Sequence, residues 1–230
     1  EGVRLVGEIG LGSAKTVEEA GPMVKWAKAN GMTVMMHTGG TSMPGSSSVS
    51  AEMVMGMDPD IVSHINGGTT AISIDEIRKL VEDTSYILEI VHCGNPLAAV
   101  ETMKFVLANN CLERLIIGND APTGSGVIPL GILRMLNFLS SLTPIRPEQV
   151  VCLATGNAAR VFGLNRGEIS AGKEADLVIM DAPIGSVGED ALSAIESGDV
   201  PGVSMVIVDG EIKVQKSRNT PPAKRQAAIV

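Results

Sequence analysis

Five polar residues recur along the chain at nearly equal distances: Glu8, His37, His64, His92 and Asp120, separated by 29, 27, 28 and 28 residues. All three histidines of the protein are among them. Imidazole nitrogens and carboxylate oxygens are the donors that Zn2+, Fe2+ and similar ions prefer. An ion held by such a set lowers the pKa of its water to about 7 and makes hydroxide available at neutral pH. One histidine after an apolar run is ordinarily a hydrogen-bonded core or rim residue. Three histidines and two acids in one phase point instead to a metal site, with hydrolysis as its chemistry.

The phase also identifies what must position them. Each of the five lies at the end of a short run rich in Val, Ile, Leu and Met, at residues 3–9, 33–36, 61–63, 86–91 and 115–117. The runs are nearly continuous rather than alternating, so they read as strands buried on both faces, as in a parallel sheet. Helical patterns fill the intervals: 16–30, with Thr16 as N-cap and Gly31 past the end; 73–82, with Ser73 and Glu76 as a capping box; 96–109; and 128–142. Strands alternating with helices make an α/β fold. One βα unit per interval puts the five polar side chains at one level, at the C-terminal ends of five consecutive strands, where parallel barrels and open sheets keep their chemistry.

The character changes after residue 164. Residues 175–181 and 203–215 read as strands, with a two-residue hairpin turn at Val208-Asp209-Gly210-Glu211. The expected organisation is a metal-binding part of a (β/α) barrel over 1–163, a β-sandwich portion over 164–215 and an extended tail over 216–230 that docks on a neighbour. Five βα units cannot close an eight-stranded barrel. Three further units, and the other half of the sandwich, are expected to precede Glu1.

Composition narrows the partners. With 230 residues, 44% hydrophobic and 19% charged, the chain can bury one sizeable core plus a small appendage. A net charge of −8 argues against nucleic acid and anionic membrane, which need a basic surface, and leaves a small molecule as the partner. No apolar stretch approaches the roughly 20 residues of a membrane span. Three widely spaced cysteines match no disulfide, zinc-ribbon or redox pattern and suggest a reducing, cytoplasmic compartment. Cys93 beside His92 is not read as a nucleophile, because adjacent strand residues point to opposite faces. The glycine clusters at 39–40, 67–68 and 124–126 match no phosphate-binding pattern and read as sharp turns at the barrel mouth. Methionines 35, 36, 53, 55 and 57 read as packing and loop residues, and Trp26 lies on the polar side of the first helix pattern.

The motifs Val6-Gly7-Glu8-Ile9-Gly10, Met36-His37-Thr38, Ser63-His64-Ile65-Asn66, Val91-His92-Cys93-Gly94 and Gly118-Asn119-Asp120-Ala121 resemble the amidohydrolase superfamily of binuclear metal hydrolases. Ala154-Thr155-Gly156-Asn157-Ala158-Ala159-Arg160 is similar to that family's helix after the last barrel strand. Gly167-Glu168-Ile169 and the run 172–178 are similar to its C-terminal sandwich. The resemblance implies the C-terminal five βα units of an eight-stranded TIM-type barrel followed by part of a small β-sandwich. It implies Glu8 as the bridging ligand, where many relatives carry a carbamylated lysine, and His37 and His64 as ligands of the second metal. It makes Asp120 both a ligand of the first metal and the proton shuttle, and turns His92 toward the substrate; Asp120 and His92 are thus the catalytic pair. The family's His-x-His ligands to the first metal are not in this chain and are expected upstream.

The resemblance further implies a Zn2+ and Fe2+ pair, a homo-oligomer of four chains, and a cyclic amide carrying a carboxylate as substrate. The specific reaction it implies is ring opening of 6-oxo-tetrahydronicotinate to 2-formylglutarate and ammonia in nicotinate degradation. Rival readings are another cyclic amidohydrolase, imidazolonepropionase- or dihydroorotase-like, a mononuclear deaminase, and a non-catalytic dihydropyrimidinase-like scaffold. A scaffold would have lost ligands that this chain keeps.

Overall fold

A computed structural model describes residues 2–41, 43–68, 70–122, 124 and 126–229, so Glu1, Ser125 of the third glycine cluster and Val230 of the tail lie outside the described residues. The chain forms two compact units, Glu1–Gly126 and Val127–Val230.

The first unit alternates strand and helix: β1 (Leu5–Ile9), α1 (Val17–Ala29), β2 (Thr33–Met36), α2 (Ala51–Met57), β3 (Ile61–Val62), α3 (Ile74–Asp83), β4 (Ile87–Val91), α4 (Pro96–Ala108) and β5 (Leu115–Gly118). All five strands are parallel and lie side by side in chain order. Val34, Met36, Ile61, Val62, Leu88, Ile90 and Leu115 are fully buried, as continuous apolar runs in a covered parallel sheet require.

Local signals set the helix starts. Thr16 Oγ1 accepts from Glu19 N and Ser73 Oγ from Glu76 N, with Glu76 returning the bond to Ser73 N. Asn95 caps α4 ahead of Pro96 at its first turn. The helix α2 departs from the sequence reading, which placed only packing methionines there. Seven residues are too few for a helical period to register, although Ser50 caps it by accepting from Met53 N at 3.3 Å. Arg114 ties the end of α3 to the start of β4, donating to the carbonyls of Val81 and Tyr86 at 2.9 Å each. A guanidinium suits the last carbonyls of a helix, which have no partner within it. At the β1 edge Trp26 is 63% exposed and, with Val6, Ile9, Pro22, Met23 and Ala27, lines an apolar groove of about 500 Å3.

The second unit holds α5 (Gly131–Leu142), α6 (Pro147–Ala154), α7 (Gly156–Phe162), β6 (Leu177–Asp181), α8 (Ala191–Glu196), β7 (Gly202–Val208) and β8 (Glu211–Val214). Its three strands form an antiparallel sheet in chain order. The hairpin turn falls at Asp209 and Gly210, both at positive φ, the backbone of a two-residue turn between twisted strands. Residues 154–160 fall on the end of α6 and on α7, whereas the rest of α6 and all of α8 were not read from the sequence.

The described residues of the tail form no helix or strand and dock on their own unit. Lys224 N donates to Ala182 O at 2.8 Å, and Arg225 clasps Asp181 through Nε at 2.8 Å and Nη2 at 2.6 Å. The bond from the Arg225 side chain, with further backbone N–H donors from Arg225 and Ala182, holds the Asp181 carboxyl well below the usual carboxylate range. Asp181 is only 4% exposed, yet the hydrogen bonds it accepts from Arg225 outweigh the opposing effect of burial.

A depressed folded-state pKa contributes stability that is present above the unfolded value of about 3.9 and lost as pH falls through the folded one. Asp181→Asn is therefore expected to lower the thermal midpoint at pH 7, with the gap from wild type narrowing as pH drops below about 4. Midpoints of both proteins at pH 7 and pH 3 check this, and an unchanged gap would contradict it.

Candidate metal centre

The strand ends carry the predicted residues. Glu8 lies within β1, His37 directly follows β2, His64 stands two residues past β3, His92 directly follows β4 and Asp120 stands two residues past β5. Register keeps them level: His37 N donates to Ile9 O, Ser63 N to Met36 O and His92 N to Gly118 O.

Three of the five side chains meet. Glu8 Oε1 lies 2.7 Å from His37 Nδ1 and 2.8 Å from His64 Nε2, and the two ring nitrogens are 3.0 Å apart. The rings meet edge to face, with centroids 4.7 Å apart. Both histidines are buried, while Glu8 keeps 37% of its side-chain surface exposed. Among the described residues, Glu8, His37 and His64 form the cluster able to hold a metal ion.

Proton counting tests whether an ion fits. His37 Nε2–H donates to Gly40 O at 2.6 Å, so in the neutral ring Nδ1 presents a lone pair to the Glu8 oxygen. The triangle of one carboxylate oxygen and two imidazole nitrogens then holds at most one proton, from His64 Nε2. If that proton is there, His64 Nδ1 is a bare acceptor, and it is buried without a hydrogen-bond partner among the described residues. Three converging electron-pair donors short of protons suit a divalent cation, and the N,N,O set suits zinc or iron.

The clustered groups also shift one another's protonation. Partial burial alone would raise the Glu8 carboxyl, but its close contacts with the His37 and His64 rings, and the charge those rings carry when protonated, outweigh it and bring it down to about 2. Burial pushes His64 down, and the Glu8 bond together with the charges of Glu8 and Asp120 raises it overall. Asp120 is pushed above the ordinary aspartate value, first by burial and then by the charge of Glu8, against the opposing pull of both histidines. It therefore shares the field of the cluster without being one of its three converging donors.

His92 is half-buried and also outside the three. With Cys93 it lies in a turn beyond β4, so strand alternation, invoked above to separate that pair, does not operate there. Gly124 leaves the room between the Asp120 carboxylate and Cys93 that brings the loop after β5 over this turn.

Two residues of the site carry strained backbone. His64 has φ 31° and Asp120 φ 53°, left-handed conformations that cost a non-glycine residue of order 1–3 kcal/mol unless the surroundings impose them. One glycine of the expected turns serves the site directly: Gly39 has φ 104°, and a β-carbon on it would collide with Thr70 O. That turn presents the Gly40 carbonyl to His37.

Sequence reasoning missed Glu89. It lies on β4, half-buried, and Oε2 accepts from His64 N and Ser63 Oγ at 3.3 Å each. Burial raises its carboxyl above the usual range, against the N–H of His64. A carboxylate in the middle of the otherwise apolar run Ile87–Val91 was the signal that could have exposed it.

A parallel βα sheet carries this N,N,O donor cluster at its C-terminal edge, and the chain belongs to the Amidohydrolase family, whose model matches residues 14–213. The chain is 56% identical over 230 residues to enamidase of Eubacterium barkeri, matching all of this chain and 60% of that protein's length. The crystal structure of enamidase, described as a new member of the amidohydrolase superfamily, superposes on the whole chain with a TM-score of 0.95 and 56% identity. This chain covers 60% of that structure. The β-aspartyl dipeptidase of Fervidobacterium islandicum shares the fold at a TM-score of 0.58 and 14% identity, over 91% of this chain and 56% of its own. These matches establish the expected fold class, with this chain corresponding to part of the TIM-type barrel and its sandwich. No helix among the described residues is long and apolar enough to cross a membrane.

Proposed function

We propose that the protein is a metal-dependent hydrolase of cyclic amides whose substrate is a carboxylate-bearing enamide lactam, 6-oxo-tetrahydronicotinate, opened to 2-formylglutarate and ammonia in nicotinate degradation. The observation that carries this reading is the convergence of Glu8 Oε1, His37 Nδ1 and His64 Nε2 within 3.0 Å of one another. The 56% identity to enamidase supports the substrate class. Glu8, His37, His64 and Asp120 would hold a Zn2+ and Fe2+ pair. When bound, the pair supplies Lewis acidity and a water acidic enough to react near neutral pH.

The chain's own groups move the protons. Asp120, raised by burial and close to the cluster, accepts a proton from the attacking water and passes it to the lactam nitrogen as the C–N bond breaks. His92 donates to the oxygen of the carbonyl under attack, where negative charge develops. The enamine so released tautomerises to an imine, and a second water converts that to aldehyde and ammonia. The three free cysteines suit a reducing compartment, and the working form is taken to be a cytoplasmic homotetramer.

Ammonia release from 6-oxo-tetrahydronicotinate tests the proposal. Turnover is expected with Zn2+ and Fe2+, to vanish after chelation and to return when the metals are restored. Metal-loaded protein that releases no ammonia would contradict it.

A further inference from the structure

We infer that Glu89 is a positioning residue of the metal centre, acting through the backbone of His64. β3 ends at Val62; Ser63 N–H still reaches Met36 O of β2, but beyond it the turn that carries His64 leaves the sheet ladder and the N–H of His64 needs another acceptor. Glu89 Oε2 accepts both His64 N–H and Ser63 Oγ–H at 3.3 Å, while Glu89 O accepts Ile65 N–H at 2.9 Å. From the other side Thr38 Oγ1 donates to Ser63 O at 2.9 Å. These bonds fix the peptides on both sides of a histidine held at φ 31°, a conformation it does not keep without outside support. With that backbone fixed, Nε2 meets Glu8 and His37; with it relaxed toward an ordinary φ, the ring swings out of the triangle.

A neighbouring strand is built around the same carboxylate. A β-carbon on Gly118 of β5 would collide with Glu89 Oε1, so the side chain has its place only because residue 118 has none. Glu89 and Gly118 lie on neighbouring strands, where Val91 pairs with Gly118. The Glu89 carboxylate thus lies beneath the site and also feels the charge of Asp120.

This inference rests on reading the cluster as a metal centre, and the test separates the two. Purified protein is stripped and titrated with Co2+ against a competing chelator, while the visible d–d bands are recorded. Wild type is expected to bind Co2+ with a defined spectrum; no binding would overturn the metal reading and this inference with it.

Glu89→Gln keeps an oxygen at the same reach and loses the charge, so its affinity is expected to stay within about threefold with the same bands, a far smaller change than losing an outer-shell partner brings. Glu89→Asp keeps the charge but retracts the oxygen, and Gly118→Ala displaces it. Both are expected to weaken Co2+ by about 10- to 100-fold and to alter the bands, the range typical of outer-shell partners. The reverse order, with Glu89→Gln impaired and Glu89→Asp normal, would show that charge and not placement of His64 matters, and would overturn the inference. Wild-type affinity and spectrum in both Glu89→Asp and Gly118→Ala would overturn it too, even if their melting temperatures fell.

Discussion

Asp120→Asn is expected to lower turnover by on the order of 10^2- to 10^4-fold while metal content stays at the wild-type level, the range attributed to a positioned general acid or base. The substitution is nearly isosteric. An amide oxygen can still face the cluster, so what is lost is the ability to take and return a proton. Asp120 stands where that ability is useful: past the end of β5, at φ 53°, with its carboxyl raised by burial and coupled to Glu8, His37 and His64. A carboxylate held above its ordinary value releases its proton less readily to bulk water and is better matched to a nitrogen leaving group. The measurement is kcat beside metal analysis on the same preparation. Native turnover in the asparagine variant would remove Asp120 from the proton path, and lost metal would trace the lost turnover to its ligand role alone.

Glu8→Ala is expected to have the other large effect, loss of metal after dialysis and with it loss of turnover. One oxygen of Glu8 touches both rings, at 2.7 and 2.8 Å, and it brings the only anion among the three converging donors. Without it the three-donor cluster keeps only two neutral imidazoles, their facing nitrogens 3.0 Å apart. The affinity loss should exceed the roughly 10- to 100-fold typical when only an outer partner of a ligand is removed. Glu8→Gln, which keeps an oxygen but not the charge, should fall between wild type and alanine. Metal stoichiometry of the three proteins checks the order, and full occupancy in the alanine variant would contradict it.

What the sequence made legible was what local pattern encodes. Thr16, and Ser73 with Glu76, act within one helical turn, so their caps could be read directly and occur as read. Glu8, His37 and His64 announced themselves because equal spacing on a repeated βα unit becomes equal height on the sheet. Elements too short to show a period were hidden: α2 has seven residues and β3 only two. Contacts made by register rather than by sequence were hidden as well. Glu89 meets His64 from 25 residues away, and Asp181 meets Arg225 from 44 away. Strand alternation fails to separate Cys93 from His92 for a related reason: β4 stops at Val91, and the alternation expected of a strand does not extend into the turn that follows.

The central claim is that Glu8, His37 and His64 hold a metal ion. Diffraction from crystals of the protein grown with Zn2+ and Fe2+, recorded on both sides of each absorption edge, tests it most directly. The account predicts an anomalous peak bounded by Glu8 Oε1, His37 Nδ1 and His64 Nε2. A well-ordered site at those three residues with no anomalous signal at either edge would contradict it.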